Sequence, residues 1–114
     1  MKSITLKKID IENFQILQSV VAQYRIKKLR VMQTIKYNDV YFNNMLVVDV
    51  TTNLFFRFRM KIENQNKPIS NFKLKIYEAV MLLQCCIDYE ARTEYEKFIV
   101  KKQYNEIYEQ LINL

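Results

Sequence analysis

The stretch NNMLVVDVTTNLFFRFRMKI, residues 43–62, decides which fold the sequence predicts. Its first half is rich in valine and threonine, and its second half alternates apolar with basic side chains. Such alternation is typical of strands, because successive side chains point to opposite faces of a sheet. Phe56, Phe58 and Met60 would face the core, with the basic residues between them on the other face. The pattern predicts a β-hairpin.

The turn of this hairpin follows from its apolar faces. The first arm presents Leu46, Val48 and Val50 on its apolar face. They must face the core together with the even-numbered residues of the second arm, so the loop must hold an odd number of residues. The loop 51–53 fits, because its last residue is an asparagine that can adopt the left-handed conformation usually taken by glycine.

Another strand is expected in NFKLKI, residues 71–76, which alternates in the same way. In the simplest register of this second hairpin, Lys61 lies opposite Lys73 and Arg59 lies opposite Lys75. Like charges directly across a strand pair repel each other, so a negatively charged surface should lie against this face. The candidate binding face consists of Arg57, Arg59, Lys61, Lys73 and Lys75.

Two kinds of partner could supply that negative charge. A basic β-ribbon could grip the phosphates of a nucleic acid, although the aromatic side chains needed for base stacking lie on the core-facing side. An acidic protein surface is the alternative, and the chain itself has one. Residues 1–75 carry 14 basic and 5 acidic side chains, whereas residues 76–114 carry 4 basic and 7 acidic ones. These two parts of the sequence could pair within the chain or between copies.

The N-terminal part predicts a strand followed by a helix. Residues 3–9 alternate weakly, and Asp10 is a good N-cap for a helix that ends near Lys28. Residues 29–36 contain several β-branched side chains and could be either helix or strand.

The C-terminal part predicts two helices. Residues 77–91 form the first, and Thr93 with Glu96 forms a capping box that starts the second. The apolar stripe expected on the first helix is Ile76, Val80, Leu83 and Ile87, and the anchors expected on the second are Phe98, Ile99, Ile107 and Leu111. The whole chain, 1–114, is therefore expected to be a single α+β domain. It would have a small antiparallel sheet of 3–5 strands, helices on one face and the order β-α-(β)-β-β-β-α-α.

Missing residue types argue against an enzyme. The chain has no glycine, which excludes glycine-rich phosphate-binding loops, and no histidine, which excludes the usual general base and histidine-containing zinc sites. Cys85 and Cys86 are adjacent, so we expect them to be buried apolar residues on a helix in a reducing compartment. No cofactor or metal is expected. The longest apolar run, AVMLL at 79–83, is too short to span a membrane.

Carboxylates and tyrosines gather in the last 27 residues of the sequence. Asp88, Glu90, Glu94 and Glu96 surround the predicted start of the last helix, where acidic groups favour the helix dipole. Tyrosine suits helix packing or an interface edge, since one end of its side chain can stay in water. The interface candidates are Tyr89, Glu94, Tyr95, Tyr104 and Tyr108.

The composition favours residue types with AT-rich codons, such as Ile, Asn, Lys, Phe and Tyr. We therefore expect a gene of a phage or mobile element in an AT-rich genome, with a product in the host cytoplasm or in a virion. The first functional hypothesis is a non-catalytic protein that binds protein, as a homo-oligomer or as a structural or accessory component of an assembly. The second is a nucleic-acid-binding accessory protein that uses the basic hairpin face.

Overall fold

The computed structural model of the chain describes residues 2–35, 37–64 and 68–114. The elements follow in the order β1 (Ser3–Asp10), α1 (Ile11–Thr34), α2 (Asp39–Glu63), β2 (Ile69–Lys75), α3 (Ile76–Asp88) and α4 (Glu94–Ile112). β1 and β2 form a two-stranded antiparallel sheet. The long helices α1 and α2 form a helical hairpin, and one buried apolar cluster draws on both strands and all four helices.

The predicted α+β fold, with a sheet of 3–5 strands and the order β-α-(β)-β-β-β-α-α, is wrong. The described residues are mostly helical, with four helices and two strands, because residues 43–62 lie inside α2. Leu54 and Phe58 are fully buried, four residues apart. Both the strand period of two and the helix period of 3.6 place these two residues together. The exposure of the neighbouring even-numbered side chains distinguishes a helix from a strand. Phe56 is 53% exposed and Met60 is 69% exposed. A strand would have buried both.

Local contacts explain why this stretch is helical despite its β-branched residues. The hydroxyls of Thr51 and Thr52 donate to the carbonyls of Val47 and Val48, each at 2.7 Å, so both polar groups are satisfied inside the helix. The helix also needs no left-handed residue at position 53, which a hairpin without glycine would require. The packing of α2 along α1 then outweighs the modest strand preference of valine and threonine.

The N-terminal predictions fare better. β1 confirms the strand at 3–9, and the Asp10 side chain accepts a hydrogen bond from the backbone N–H of Asn13 at 2.7 Å, as an N-cap should. The predicted end of α1 near Lys28 is wrong, because α1 continues to Thr34. Residues 29–36, for which the sequence left helix and strand open, are therefore helical as far as Thr34. Position 36 lies outside the described residues.

The strand at 71–76 is confirmed in β2, but its partner differs. Lys73 lies opposite Thr5 and Lys75 lies opposite Ser3. The predicted pairing of Lys73 and Lys75 with basic residues of a neighbouring strand is therefore wrong, and the repulsion inferred from it does not arise.

The other edge of β1 is covered by side chains of α4. Gln110 accepts a hydrogen bond from the Thr5 N–H at 3.0 Å and donates one to the Thr5 carbonyl at 2.8 Å, as a neighbouring strand would. Glu106 accepts from the N–H of Lys7 at 3.2 Å. These bonds block pairing of β1 with a further strand.

Of the apolar stripe predicted for α3, Ile76 and Leu83 are partly buried against the core, whereas the prediction is wrong for Val80 and Ile87, which are 40% and 67% exposed. The buried face lies one position earlier along the helix, at Ala79, Leu82 and Cys86. The buried side chains of α3 are Glu78, Ala79, Leu82, Cys85 and Cys86.

The start of α4 is confirmed at Thr93, whose hydroxyl accepts from the N–H of Glu96 at 3.1 Å. The reciprocal bond expected of a capping box goes instead to the N–H of Arg92. Of the expected anchors, Ile99 and Ile107 are buried and Leu111 is partly buried, whereas Phe98 is wrong because it is 64% exposed.

A bulge in β1 has the one left-handed backbone among the described residues. The register shifts between Leu6 and Ile9, and Lys8 has a φ of 56°. Its N–H donates to the side-chain oxygen of Asn71 at 3.1 Å, which holds the bulge. In a chain without glycine, a lysine has to adopt a conformation that its Cβ disfavours.

We expect Lys8→Gly to raise the free energy of unfolding by about 0.5–1 kcal/mol, because glycine relieves this strain. The control Lys7→Gly should lower it, since Lys7 lies in the strand with a negative φ. Urea denaturation of both variants measures the difference. An unchanged or lower stability of Lys8→Gly would contradict strain at this position.

Candidate interaction surfaces

Arg57, the first of the five candidate basic residues, is tied into the structure. Its Nη1 donates to Glu78 Oε2 at 2.7 Å and its Nη2 donates to the carbonyl of Lys73 at 2.7 Å. Its guanidinium lies 4.5 Å from the centre of the Phe72 ring. The Glu78 side chain is only 8% exposed. The acidic group that this cation meets therefore belongs to its own chain.

The other four cations do not form the predicted hairpin face. Arg59 forms an exposed ion pair with Glu63 at 3.0 Å. On α2 it points away from Lys61, since residues two apart on a helix lie on different faces. Lys61, Lys73 and Lys75 form no ion pair with another described residue.

Two neighbouring depressions bring part of the predicted set together. Arg57, Lys73 and Lys75 line one of them, and Arg57 with Lys61 lines the other. The result is a basic patch in which the guanidinium is already neutralised by a carboxylate. We call Lys61, Lys73 and Lys75 the lysine patch.

Basic side chains of residues 1–75 form ion pairs with acidic side chains of residues 76–114 within the chain. Lys27 of α1 binds Asp88 at the end of α3 at 2.9 Å and lies 3.8 Å from Glu90. The hydrogen bond to Asp88 raises the pKa of Lys27. Together with the pair of Arg57 and Glu78, this contact joins the basic helical hairpin to the acidic C-terminal helices.

The interface candidates Tyr89 and Tyr104 meet at a groove of about 350 Å³ between α3 and α4. Its walls are mainly apolar and include Val100. Lys97 and Lys101, one turn apart on α4, also line it. Such a groove can hold an apolar side chain beside an acidic group.

The remaining interface candidates are spread around α4. Tyr108 stacks on Tyr104 with ring centres 5.9 Å apart and is 47% exposed. Tyr95 lies nine residues before Tyr104, which is half a turn out of phase, so it points to the opposite side of the helix. Glu94 is exposed in the first turn. The five candidates therefore do not share one surface.

Glu96 is the centre of a hydrogen-bonded cluster at the turn between α3 and α4. Its carboxylate accepts from Arg92 Nη2 at 2.7 Å, from the Arg92 backbone N–H at 3.0 Å and from the Tyr89 hydroxyl at 2.8 Å. Hydrogen bonds from Arg92 lower the pKa of Glu96 to about 2. Burial and the bond to Glu96 raise the pKa of Tyr89. These shifts favour an ionised Glu96 that holds the turn together.

This cluster predicts acid sensitivity. Because the pKa of Glu96 is lower in the folded chain than its ordinary value of 4.5, its stabilising contribution is present above pH 4.5 and is lost as the pH falls towards 2. We expect Glu96→Gln to reduce the slope of stability against pH between these values, as measured by urea denaturation from pH 6 to about 2. Glu94→Gln is the exposed control and should keep the slope. Equal slopes in wild type and Glu96→Gln would contradict this role.

The neighbouring cysteines are confirmed as buried residues of a helix. Cys85 and Cys86 are free thiols on the buried face of α3. Burial raises the pKa of both, that of Cys86 to about 12. At neutral pH neither is a thiolate, so neither is activated as a nucleophile.

The surface that the sequence reasoning missed is the side of α2 that faces away from α1. Its large apolar side chains are all between 44% and 69% exposed. We call this side the outer face of α2. Its apolar members are Phe42, Met45, Leu46, Phe56 and Met60. These positions fall on one side of a helix, whereas the hairpin prediction had assigned Leu46, Phe56 and Met60 to the core face.

Within the ranges 2–35, 37–64 and 68–114, no three Cys, Asp or Glu side chains lie close enough together to hold a metal ion. No helix in those ranges is long and apolar enough to cross a membrane. Comparison with protein-family models, with curated proteins and with solved structures returns no match for this chain.

Proposed function

We propose that this chain is a small non-catalytic protein that acts by binding protein, as a structural or accessory component of an assembly. The observation that carries the proposal is the outer face of α2, where five large apolar side chains lie in water along one helix. Single exposed apolar residues are ordinary on protein surfaces, but two groups of them on one side of a helix, here at either end of α2, are typical of an interaction site.

The energy available at this face is large enough for binding. The five half-exposed side chains present about 500 Å² of mostly apolar surface. Burying that area would contribute on the order of 10 kcal/mol before the costs of association are subtracted. A face of this size supports specific binding to another protein surface.

The contacts of the ionisable groups support a non-catalytic role. Glu78 and Glu96, two largely buried carboxylates, are engaged by arginines in contacts that hold secondary-structure elements together. The buried thiols are protonated at neutral pH. A chain without histidine has few other groups with which to move a proton at neutral pH.

The composition supports placing the gene in a phage or another mobile element with an AT-rich genome, because residue types with AT-rich codons dominate. The product would then act in the host cytoplasm or in a virion. Its partner would be either another copy of the chain or a different protein.

Photo-crosslinking at the outer face of α2 tests this function. With a benzophenone amino acid in place of Phe56, we expect a discrete protein adduct in the purified chain or in an extract of its native cell. In the same background, Leu46→Asp should reduce the adduct at least tenfold, because a charge there would be buried by the partner. Since Leu46 is 66% exposed, this substitution should change the free energy of unfolding by only about 0.5 kcal/mol.

The matched control carries the benzophenone at Phe98, which is as exposed as Leu46 but lies on α4. Position 98 should give no adduct. Equal labelling from positions 56 and 98, or no adduct at position 56 in either preparation, would overturn the proposed function.

A nucleic-acid interface is the second candidate, and the lysine patch is the observation that favours it. Its three side chains form no ion pair with another described residue and border two adjoining depressions. Three phosphate contacts predict a slope of about −3 for the logarithm of the DNA association constant against the logarithm of salt concentration. Fluorescence anisotropy with a labelled duplex measures this slope. No binding at about 50 mM salt would exclude the interface.

A further inference from the structure

The outer face of α2 has an internal symmetry in its sequence. Six exposed residues follow one another at alternating spacings of four and three, which is the repeat of helices that pack side by side. The six residues, called the α2 stripe, are Phe42, Leu46, Asp49, Asn53, Phe56 and Met60. The stripe spans about 27 Å of helix and has apolar ends with a polar centre.

We propose that the α2 stripe binds the α2 stripe of a second copy of this chain, antiparallel and about a twofold axis. The inference rests on the proposed protein-binding function and names its partner. With this twofold axis, each stripe residue faces a residue of the other copy, and the two residue numbers add up to 102. Phe42 then packs against Met60 of the other copy, and Leu46 packs against Phe56. The interface is self-complementary, as a twofold dimer requires.

The polar centre of the stripe selects this orientation. In the antiparallel arrangement, Asp49 of one copy faces Asn53 of the other, so the carboxylate can accept hydrogen bonds from the amide. A parallel pair would instead place Asp49 directly opposite Asp49, where two negative charges repel.

The same two polar residues also select the register. A shift of one heptad in either direction would bury Asp49 against an apolar residue of the other copy and leave its charge without a partner. Polar residues inside a helix–helix interface commonly fix register in this way.

The flanking residues are compatible with this packing. In the same register, Arg57 lies beside Asn43 of the other copy and Arg59 lies beside Met45. Like charges meet only at the ends of α2, where Asp39 would lie opposite Glu63 of the other copy, and there Arg59 already pairs with Glu63 at 3.0 Å. The basic side chains therefore add no repulsion across the axis.

The area fits a weak to moderate dimer. Two copies of the outer face would bury on the order of 1,000 Å² in total, near the lower limit for specific interfaces. We therefore expect a dimer that forms at about 100 µM and dissociates on dilution to about 1 µM. The apolar character of the contact predicts that added salt will not dissociate it.

Cysteine crosslinking between two single variants tests the geometry. Positions 46 and 56 face each other in the proposed dimer, whereas two copies of position 46 lie about 15 Å apart. A mixture of Leu46→Cys and Phe56→Cys should therefore form disulfide-linked heterodimers on mild oxidation, at least tenfold more than either variant alone. The native cysteines contribute little background because both are buried. Crosslinking of Leu46→Cys with itself would indicate parallel packing and overturn the proposal.

Sedimentation velocity provides the second measurement and needs no cysteine variant. The wild-type chain and the control Phe98→Asp should both dimerise at about 100 µM, whereas Leu46→Asp should stay monomeric. A wild-type chain that is monomeric at this concentration would overturn the dimer. If position 56 still gave a photo-adduct with a different protein, the protein-binding function would stand while the self-association proposed here would be wrong.

Discussion

The contact among Phe14, Phe58 and Phe72 holds the structure together, because α1, α2 and β2 meet there. The rings of Phe58 and Phe72 lie 4.7 Å apart, and Phe14 lies 6.1 Å and 5.8 Å from them. A two-stranded sheet is marginal on its own, so β1 and β2 depend on this aromatic cluster to pack against the helical hairpin. Arg57 stacks on Phe72 and extends the same junction to the start of α3 through Glu78.

Charge acts on this framework as a set of ties between its parts. Glu78 joins α3 to α2, Asp88 joins the end of α3 to α1, and Glu96 closes the turn before α4. Acidic side chains of residues 76–114 thus help to hold the basic helical hairpin in place. Among the described residues, the lysine patch and the apolar outer face of α2 take no part in these ties.

Local signals predicted those parts of the fold that local chemistry determines. Asp10 and Thr93 cap helices as expected, because a capping side chain needs only the N–H groups that follow it. The strand prediction for residues 43–62 was wrong because apolar residues spaced four apart fit a strand and a helix equally. Deciding between them requires knowing that α1 lies alongside, and that is a tertiary contact. The interface candidates were chosen by residue type, so their scatter around α4 could not be foreseen without its helical phase.

The choice between strand and helix also decides which side chains are free to bind. In a strand, Phe56 and Met60 would belong to the core together with Phe58, and the basic residues would form the surface. In the helix, Phe58 alone goes inward, and Phe56 and Met60 join Phe42 and Leu46 on the outer face. Asp49 and Asn53 then sit midway between the two apolar pairs. In a lone helix this placement has no consequence, but across the proposed twofold axis it would give each carboxylate an amide to accept from, and that one pairing would set the orientation and the register.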